Sequence, residues 1–156
     1  MTLDAFLRLG ETVTLGSHRF EANAIKAFAR SYDPQPFHLD EALAERSLFG
    51  RLCASGWHTA AIWMKLNVAE LERSAERPWE GIGARPEWGP SPGFQNLRWP
   101  KPVFVGETVT FTRTALVHRR TASRPGWRVL ALRCGGVDSK GDAVLDFESA
   151  VMVKAV

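Results

Sequence analysis

The chain is short of several things, and each shortage narrows what it can do. Its 156 residues include two cysteines. Cys53 and Cys134 form no spacing pattern that would hold zinc or a disulfide framework, and they suit a reducing cytoplasm. Cys53 lies in Arg-Leu-Cys-Ala just ahead of a helical segment, a setting that reads as packing rather than as a nucleophile. Charge of one sign is scarce, because 20 Lys and Arg against 17 Asp and Glu give a net +3. That balance argues against a dedicated nucleic-acid binder and leaves room for a local anion site. No apolar run approaches the roughly 20 residues that a membrane-spanning helix needs. The first ten residues carry Asp4 and Arg8 around a short apolar patch, with no basic lead and no cleavage-like site, so no secretory signal is expected. With no internal repeat, low-complexity tract or domain-sized linker, residues 1–156 read as one domain, long enough to bury a core.

What is present is an orderly alternation of periods. Residues 11–20 alternate as a first strand. Ala22, Ile25, Phe28 and Ala29 follow at helical spacing, and this short helix is expected to end before Asp33-Pro34. Residues 39–48 read as a second short helix, stopped near Gly50. Ser55 is placed to cap a third and longest helix, with Gly56 in its first turn. Along that helix Trp57, Ala60, Ala61, Met64, Val68 and Leu71 form an apolar stripe, read here as its core-facing side. Residues 75–92 carry Pro78, Pro86, Pro90 and Pro92 with Trp79 and Trp88, a long irregular stretch of the kind used as a lid, a pocket wall or a partner contact. Strand character returns at 93–99, 107–118, 127–134 and 144–153. One strand, a long helix and then several antiparallel strands is an α+β pattern.

The chemistry concentrates in Tyr32-Asp33-Pro34-Gln35-Pro36-Phe37-His38-Leu39-Asp40. Each proline fixes its own φ and pushes the residue before it toward extended geometry, so Asp33 and Gln35 are steered away from helix. The segment is expected to be a stiff, non-helical hook holding a carboxylate and an imidazole at a set separation, as proton transfer through a bound water requires. The same residues also read as a plain turn ahead of the next helix. His38-Leu39-Asp40 spells part of an iron-binding facial triad as well, with His58 or His118 as third ligand. The helix directly after His38 disfavours it, so no metal is expected and Asp40 is read as a helix N-terminal residue.

Asp33 and His38 in this spacing, the stretch Phe49-Gly50-Arg51-Leu52-Cys53-Ala54-Ser55-Gly56-Trp57-His58-Thr59, and the block Asn96-Leu97-Arg98-Trp99-Pro100-Lys101-Pro102-Val103-Phe104-Val105-Gly106-Glu107-Thr108 come in the order found in one family. Together they resemble the MaoC-like dehydratases and R-specific enoyl-CoA hydratases. The resemblance implies a hotdog fold, a curved antiparallel sheet wrapped around one long central helix. It implies a cytoplasmic hydro-lyase of fatty-acid metabolism that interconverts 2-enoyl-CoA and 3-hydroxyacyl-CoA. Asp33 and His38 then grip one water, and the backbone N–H of Gly56 serves the thioester oxygen. Phe37, Ser55 and Trp57 are placed as substrate-binding residues. Arg124, in the basic turn with Arg119 and Arg120, is a candidate for the phosphates of coenzyme A, reaching its own pocket or a partner's. No cofactor is implied beyond the coenzyme A that the substrate carries. An acyl-CoA substrate and a homodimer or higher homo-oligomer are expected, with no nucleic acid and no membrane.

Departures from the family pattern are Gln35, where asparagine is common, and Phe37, where a smaller aliphatic is common. Both bear on the acyl pocket rather than on the reaction. Two other readings stay open. A hotdog thioesterase shares the fold but places a carboxylate on the central helix, where only Glu70 and Glu72 lie, far down it. A non-catalytic acyl-thioester binder would have no use for both Asp33 and His38.

Overall fold

A computed structural model describes residues 1–155. Helix α1 (Leu3–Leu7) precedes strand β1 (Thr12–Arg19), helices α2 (Ala22–Tyr32), α3 (Pro36–Leu39) and α4 (Glu41–Glu45), and the long helix α5 (Gly56–Ala75). Strands β2 (Glu87–Trp88), β3 (Gly93–Arg98), β4 (Thr108–Arg120), β5 (Trp127–Val137) and β6 (Ala143–Lys154) complete the chain. The sheet is antiparallel and runs β1-β4-β5-β6, with β2 and β3 both paired along β6. Inward residues alternate on its long strands, Val109, Phe111 and Ala115 on β4 and Leu130, Leu132 and Cys134 on β5, as the period of two demands. Helix α5 touches β1, β4 and β6, so the sheet curls around it. Gly16 makes the close approach possible. It sits at a bulge in β1 with φ +146, and Leu66 of α5 lies 3.4 Å from where its side chain would begin.

Several expectations need correction. The hook is not wholly non-helical. Asp33, Pro34 and Gln35 are extended or irregular, but Pro36 opens one turn of helix that carries His38, as suits proline at a first helical position. The second short helix is shorter than residues 39–48, because the Asp40 side chain accepts from Leu43 N and starts α4 at Glu41.

The apolar stripe of α5 does not face the core. Trp57, Met64 and Val68 are about half exposed, and the buried positions are His58, Thr59, Trp63, Asn67 and Glu70. Arg113 on the inward face of β4 is the reason. Buried there, it needs acceptors, and it donates to Asn67 Oδ1 at 2.5 Å and Glu70 Oε2 at 2.8 Å. Trp63 adds its indole N–H to Thr112 O at 3.0 Å. The rotation of the helix is set by these polar partners.

The irregular stretch from Ala75 to Pro92 packs on α1 rather than over a pocket. Trp79 meets Phe6 edge-on at 5.6 Å, Trp88 stacks on Phe6 at 6.0 Å, and the N-terminal amine donates to Glu80 O at 2.9 Å. The arginine-bearing turn closes β4 and β5, which lie inside the sheet, not at its edge. No helix among the described residues is long and apolar enough to cross a membrane.

One buried contact makes a pH prediction. His58 stacks on Phe28 of α2 at 4.6 Å with planes 5° apart, and neither its Nδ1 nor Nε2 of nearby His18 has a hydrogen-bond partner. Burial, with His18 alongside, pushes the His58 pKa down to about 4, and burial and Lys65 lower that of His18. The unfolded chain therefore takes up protons before the folded one does. The contribution of these histidines to stability is full at neutral pH, is lost as pH drops from about 6.5 toward 4, and changes no further below that. In urea titrations across this range His58→Phe should show a shallower fall; an unchanged slope would mean the acid sensitivity lies elsewhere.

Candidate active site

Three segments converge on the N-terminus of α5. Helix α2 ends on Asp33, whose N–H donates to Ala29 O at 2.9 Å. Two residues on, the Gln35 amide donates to Asp33 Oδ1 at 2.7 Å. Helix α3 then carries His38, buried to 5% exposure, with its Nδ1 on Cys53 O at 2.6 Å. The Cys53 N–H returns a bond to Phe37 O at 3.3 Å, and Ala54 N donates to Val103 O at 2.8 Å, so the chain entering α5 is pinned on both sides.

The Cys53 carbonyl decides the tautomer of His38. A carbonyl only accepts, so Nδ1 carries the proton, and neutral His38 presents a bare Nε2. That atom is 3.3 Å from Asp33 Oδ2. With the imidazole in its neutral form, the carboxylate and the bare ring nitrogen are both acceptors and no proton lies between them. What satisfies both at once is a donor such as a water. Burial works against charge on Asp33, but hydrogen bonds from the Ser55 hydroxyl and the Gln35 amide, with His38 beside it, hold its carboxyl below its ordinary range. Burial, with Asp33 nearby, pushes the Cys53 thiol up to about 11, so it stays protonated and unreactive at neutral pH.

The pair opens on a cavity of about 440 Å³. Its walls are largely apolar, with Phe37, Phe49, Ala54, Val103 and Val144 among them. Trp57 and Trp99 stand at its partly exposed side, edge to face at 5.0 Å. Gly56 lines it at the first position of α5, where helix N–H groups have no intrahelical partner and the positive end of the dipole points outward. Lys101 lines it too, but its ammonium is held by Asp138 at 2.6 Å and Asp142 at 3.0 Å.

The structure thus brings together Asp33, His38, Gly56, Phe37 and Trp57, all of which line one cavity. Ser55 is displaced from the substrate-binding role. It is wholly buried and accepts from Trp57 N at 3.2 Å as the cap of α5, and its hydroxyl helps to hold the Asp33 carboxyl low. Arg124 does not join the site. It closes the β4–β5 hairpin, and Trp127 just after it pairs with Lys154 at the end of β6, whereas Val144 at the start of β6 lines the cavity. At ~3.3 Å per strand residue those ends are roughly 30 Å apart, so Arg124 does not line the cavity of its own chain. Of the alternative metal ligands, Asp40 caps α4 and His118 pairs with Asp4 at 2.8 Å.

Sequence reasoning missed the Cys53 carbonyl and Trp99. A backbone acceptor leaves no residue-type signal. Trp99 lies in the segment from Asn96 to Thr108, but nothing in its spacing points at Gly56. Gln35 was noted only as a departure, yet it orients the carboxylate.

An antiparallel sheet curled around one helix, with the acidic and imidazole groups at that helix's N-terminus, defines a hotdog-fold protein. Residues 7–124 match the MaoC like domain, and the chain belongs to that family. The MaoC-like dehydratase from Rhodospirillum rubrum is 36% identical, with a TM-score of 0.75 over 100% of this chain and 98% of that one. The (R)-hydratase from A. caviae involved in PHA biosynthesis is 27% identical, with a TM-score of 0.66 over 95% of this chain and 96% of that one. The uncharacterized protein YdeM of Bacillus subtilis (strain 168) is 37% identical over 70 residues, 45% of this chain and 49% of that protein, so the match spans about half of its length.

The hydrogen bond from Gln35 carries a checkable consequence. Replacing Gln35 with leucine should move the Asp33 carboxyl titration upward, toward the ordinary carboxylate value, as followed by carbon-detected NMR. An unmoved titration would assign the lowering to Ser55 and His38 alone.

Proposed function

We propose that this protein is a hydro-lyase acting on acyl thioesters, adding water to a 2-enoyl-CoA and removing it from the 3-hydroxyacyl-CoA. The observation that carries the reading is the pair of facing acceptors, Asp33 Oδ2 and His38 Nε2, 3.3 Å apart beside the N-terminus of α5. A water donating one hydrogen to each keeps its oxygen lone pairs free to face the cavity.

In the hydration direction that oxygen bonds to Cβ and the Cα=Cβ electrons move toward the thioester oxygen. The Gly56 N–H and the helix dipole stabilise the negative charge developing there. One proton of the water passes to the Asp33/His38 pair, and the enolate collapses as Cα takes up a proton from it. Elimination runs the same steps backwards through the same groups. Other ionisable side chains along the cavity are poor candidates. Cys53 is held protonated, and Lys101 is tied to two aspartates. Phe37 meets His38 edge-on at 4.6 Å and forms part of the acyl wall.

The thioesterase alternative needs a free carboxylate on the central helix. Glu70 is buried against Arg113 and also accepts from Ser74 at 2.7 Å, far along α5 from the cavity, which favours hydration. A second copy of the chain is part of the proposal. Strand β3 pairs only with β6, and its other edge is open among the described residues; such an edge accepts another strand. Any service of Arg124 to coenzyme A would then be across that pairing, to the partner's cavity.

Asp33→Asn and His38→Ala should each lower kcat for a 2-enoyl-CoA by about a hundredfold or more, the scale of general acid–base loss, with circular dichroism unchanged. Near-normal turnover in either variant would make the pair structural.

A further inference from the structure

We propose that Trp99 is a catalytic residue, its indole N–H being a second donor, beside the Gly56 N–H, to the thioester oxygen; this rests on the hydratase reading above. A Cβ built on Gly56 would fall 2.3 Å from Cε2, 2.4 Å from Cδ2 and 2.6 Å from Nε1 of Trp99. The five-membered ring of the indole, with its fusion bond and its nitrogen, therefore lies directly on the glycine, and no other residue type would admit it there.

The direction of approach matters. In a helix the Cα–Cβ bond points sideways and tilts toward the N-terminus. A ring occupying that place flanks the first N–H of α5 without covering it, because that N–H projects along the axis. Gly56 and Trp99 both line the cavity that holds Asp33 and His38. Indole nitrogen is a donor only. The indoles of Trp63 and Trp79 give their protons to Thr112 O and Gly83 O, whereas that of Trp99 has no protein acceptor among the described residues.

The ring is also held. Trp57 braces it edge-on at 5.0 Å, Pro100 follows it directly, and it comes straight after the last residue of β3. A donor fixed before the substrate arrives costs no reorganisation as charge develops, which is the condition for strong oxyanion stabilisation. The hydrogen bond strengthens as the thioester oxygen gains charge, so its loss should appear in kcat rather than in KM.

The test compares two replacements that keep a flat ring on Gly56 and remove the donor, Trp99→Phe and Trp99→benzothienylalanine. Each should lower kcat for a 2-enoyl-CoA by about a hundredfold, the scale for one lost oxyanion donor, with KM within about threefold. A second readout does not depend on turnover. Acetoacetyl-CoA ionises to an enolate that absorbs in the near ultraviolet, and donors on its thioester oxygen lower the pH at which the bound form ionises. Both variants should raise that pH relative to wild type. If kcat and the bound enolate are unchanged in the benzothienylalanine protein, Trp99 is only a wall and the proposal fails. If wild-type protein neither turns over 2-enoyl-CoA nor binds acetoacetyl-CoA, the hydratase reading fails and takes this one with it.

Discussion

A single hydroxyl joins the parts of this site. Ser55 accepts from Trp57 N and so starts α5, and the same hydroxyl favours the charged form of Asp33 at the end of α2. Ser55 is wholly buried, so one side chain serves both the cap of the long helix and the charge of the carboxylate. Removing a helix cap costs about 1 kcal/mol, and here the same change would also raise the Asp33 carboxyl pKa while the Gln35 amide still holds its Oδ1. The Phe28–His58 stack makes a second contact between the same two helices, one turn further from the cavity.

His38 is fixed from the other side by a backbone carbonyl, which is why the imidazole has one tautomer to offer. The Cys53 carbonyl is itself positioned by the pairing of Cys53 with Phe104 and of Ala54 with Val103. The segments resembling the family motifs are therefore physically continuous. The hook supplies Asp33 and His38, the second block supplies the carbonyl and the cap, and the third supplies Trp99 and the extended segment at Val103 and Phe104 that holds them.

Much of this was legible in the sequence for reasons that can be named. Prolines at 34 and 36 restrict φ whatever their surroundings, so the break between α2 and α3 had to fall there. Serine before glycine and an apolar-periodic run marks a helix start, and α5 begins at Gly56. Alternation read the long strands to within a few residues, because both faces of a curled sheet differ sharply in burial. The rotation of α5 was not legible. Its apolar count favoured the Trp57, Met64 and Val68 face, but Arg113, distant in sequence, draws Asn67 and Glu70 inward. Polar pairing of that kind is a tertiary fact. The same limit hid Trp99 on Gly56 and misplaced Arg124, whose distance from the cavity depends on strand direction rather than on local pattern.

The central claim is that the facing acceptors of Asp33 and His38 direct a water onto a carbon–carbon double bond and not onto the thioester carbonyl. Purified protein mixed with a series of 2-enoyl-CoA esters tests it most directly, with enoyl absorbance and free thiol followed in the same reaction. Enoyl absorbance should fall to an equilibrium with no thiol released. Release of thiol in step with substrate loss, or unchanged absorbance across the series, would contradict it.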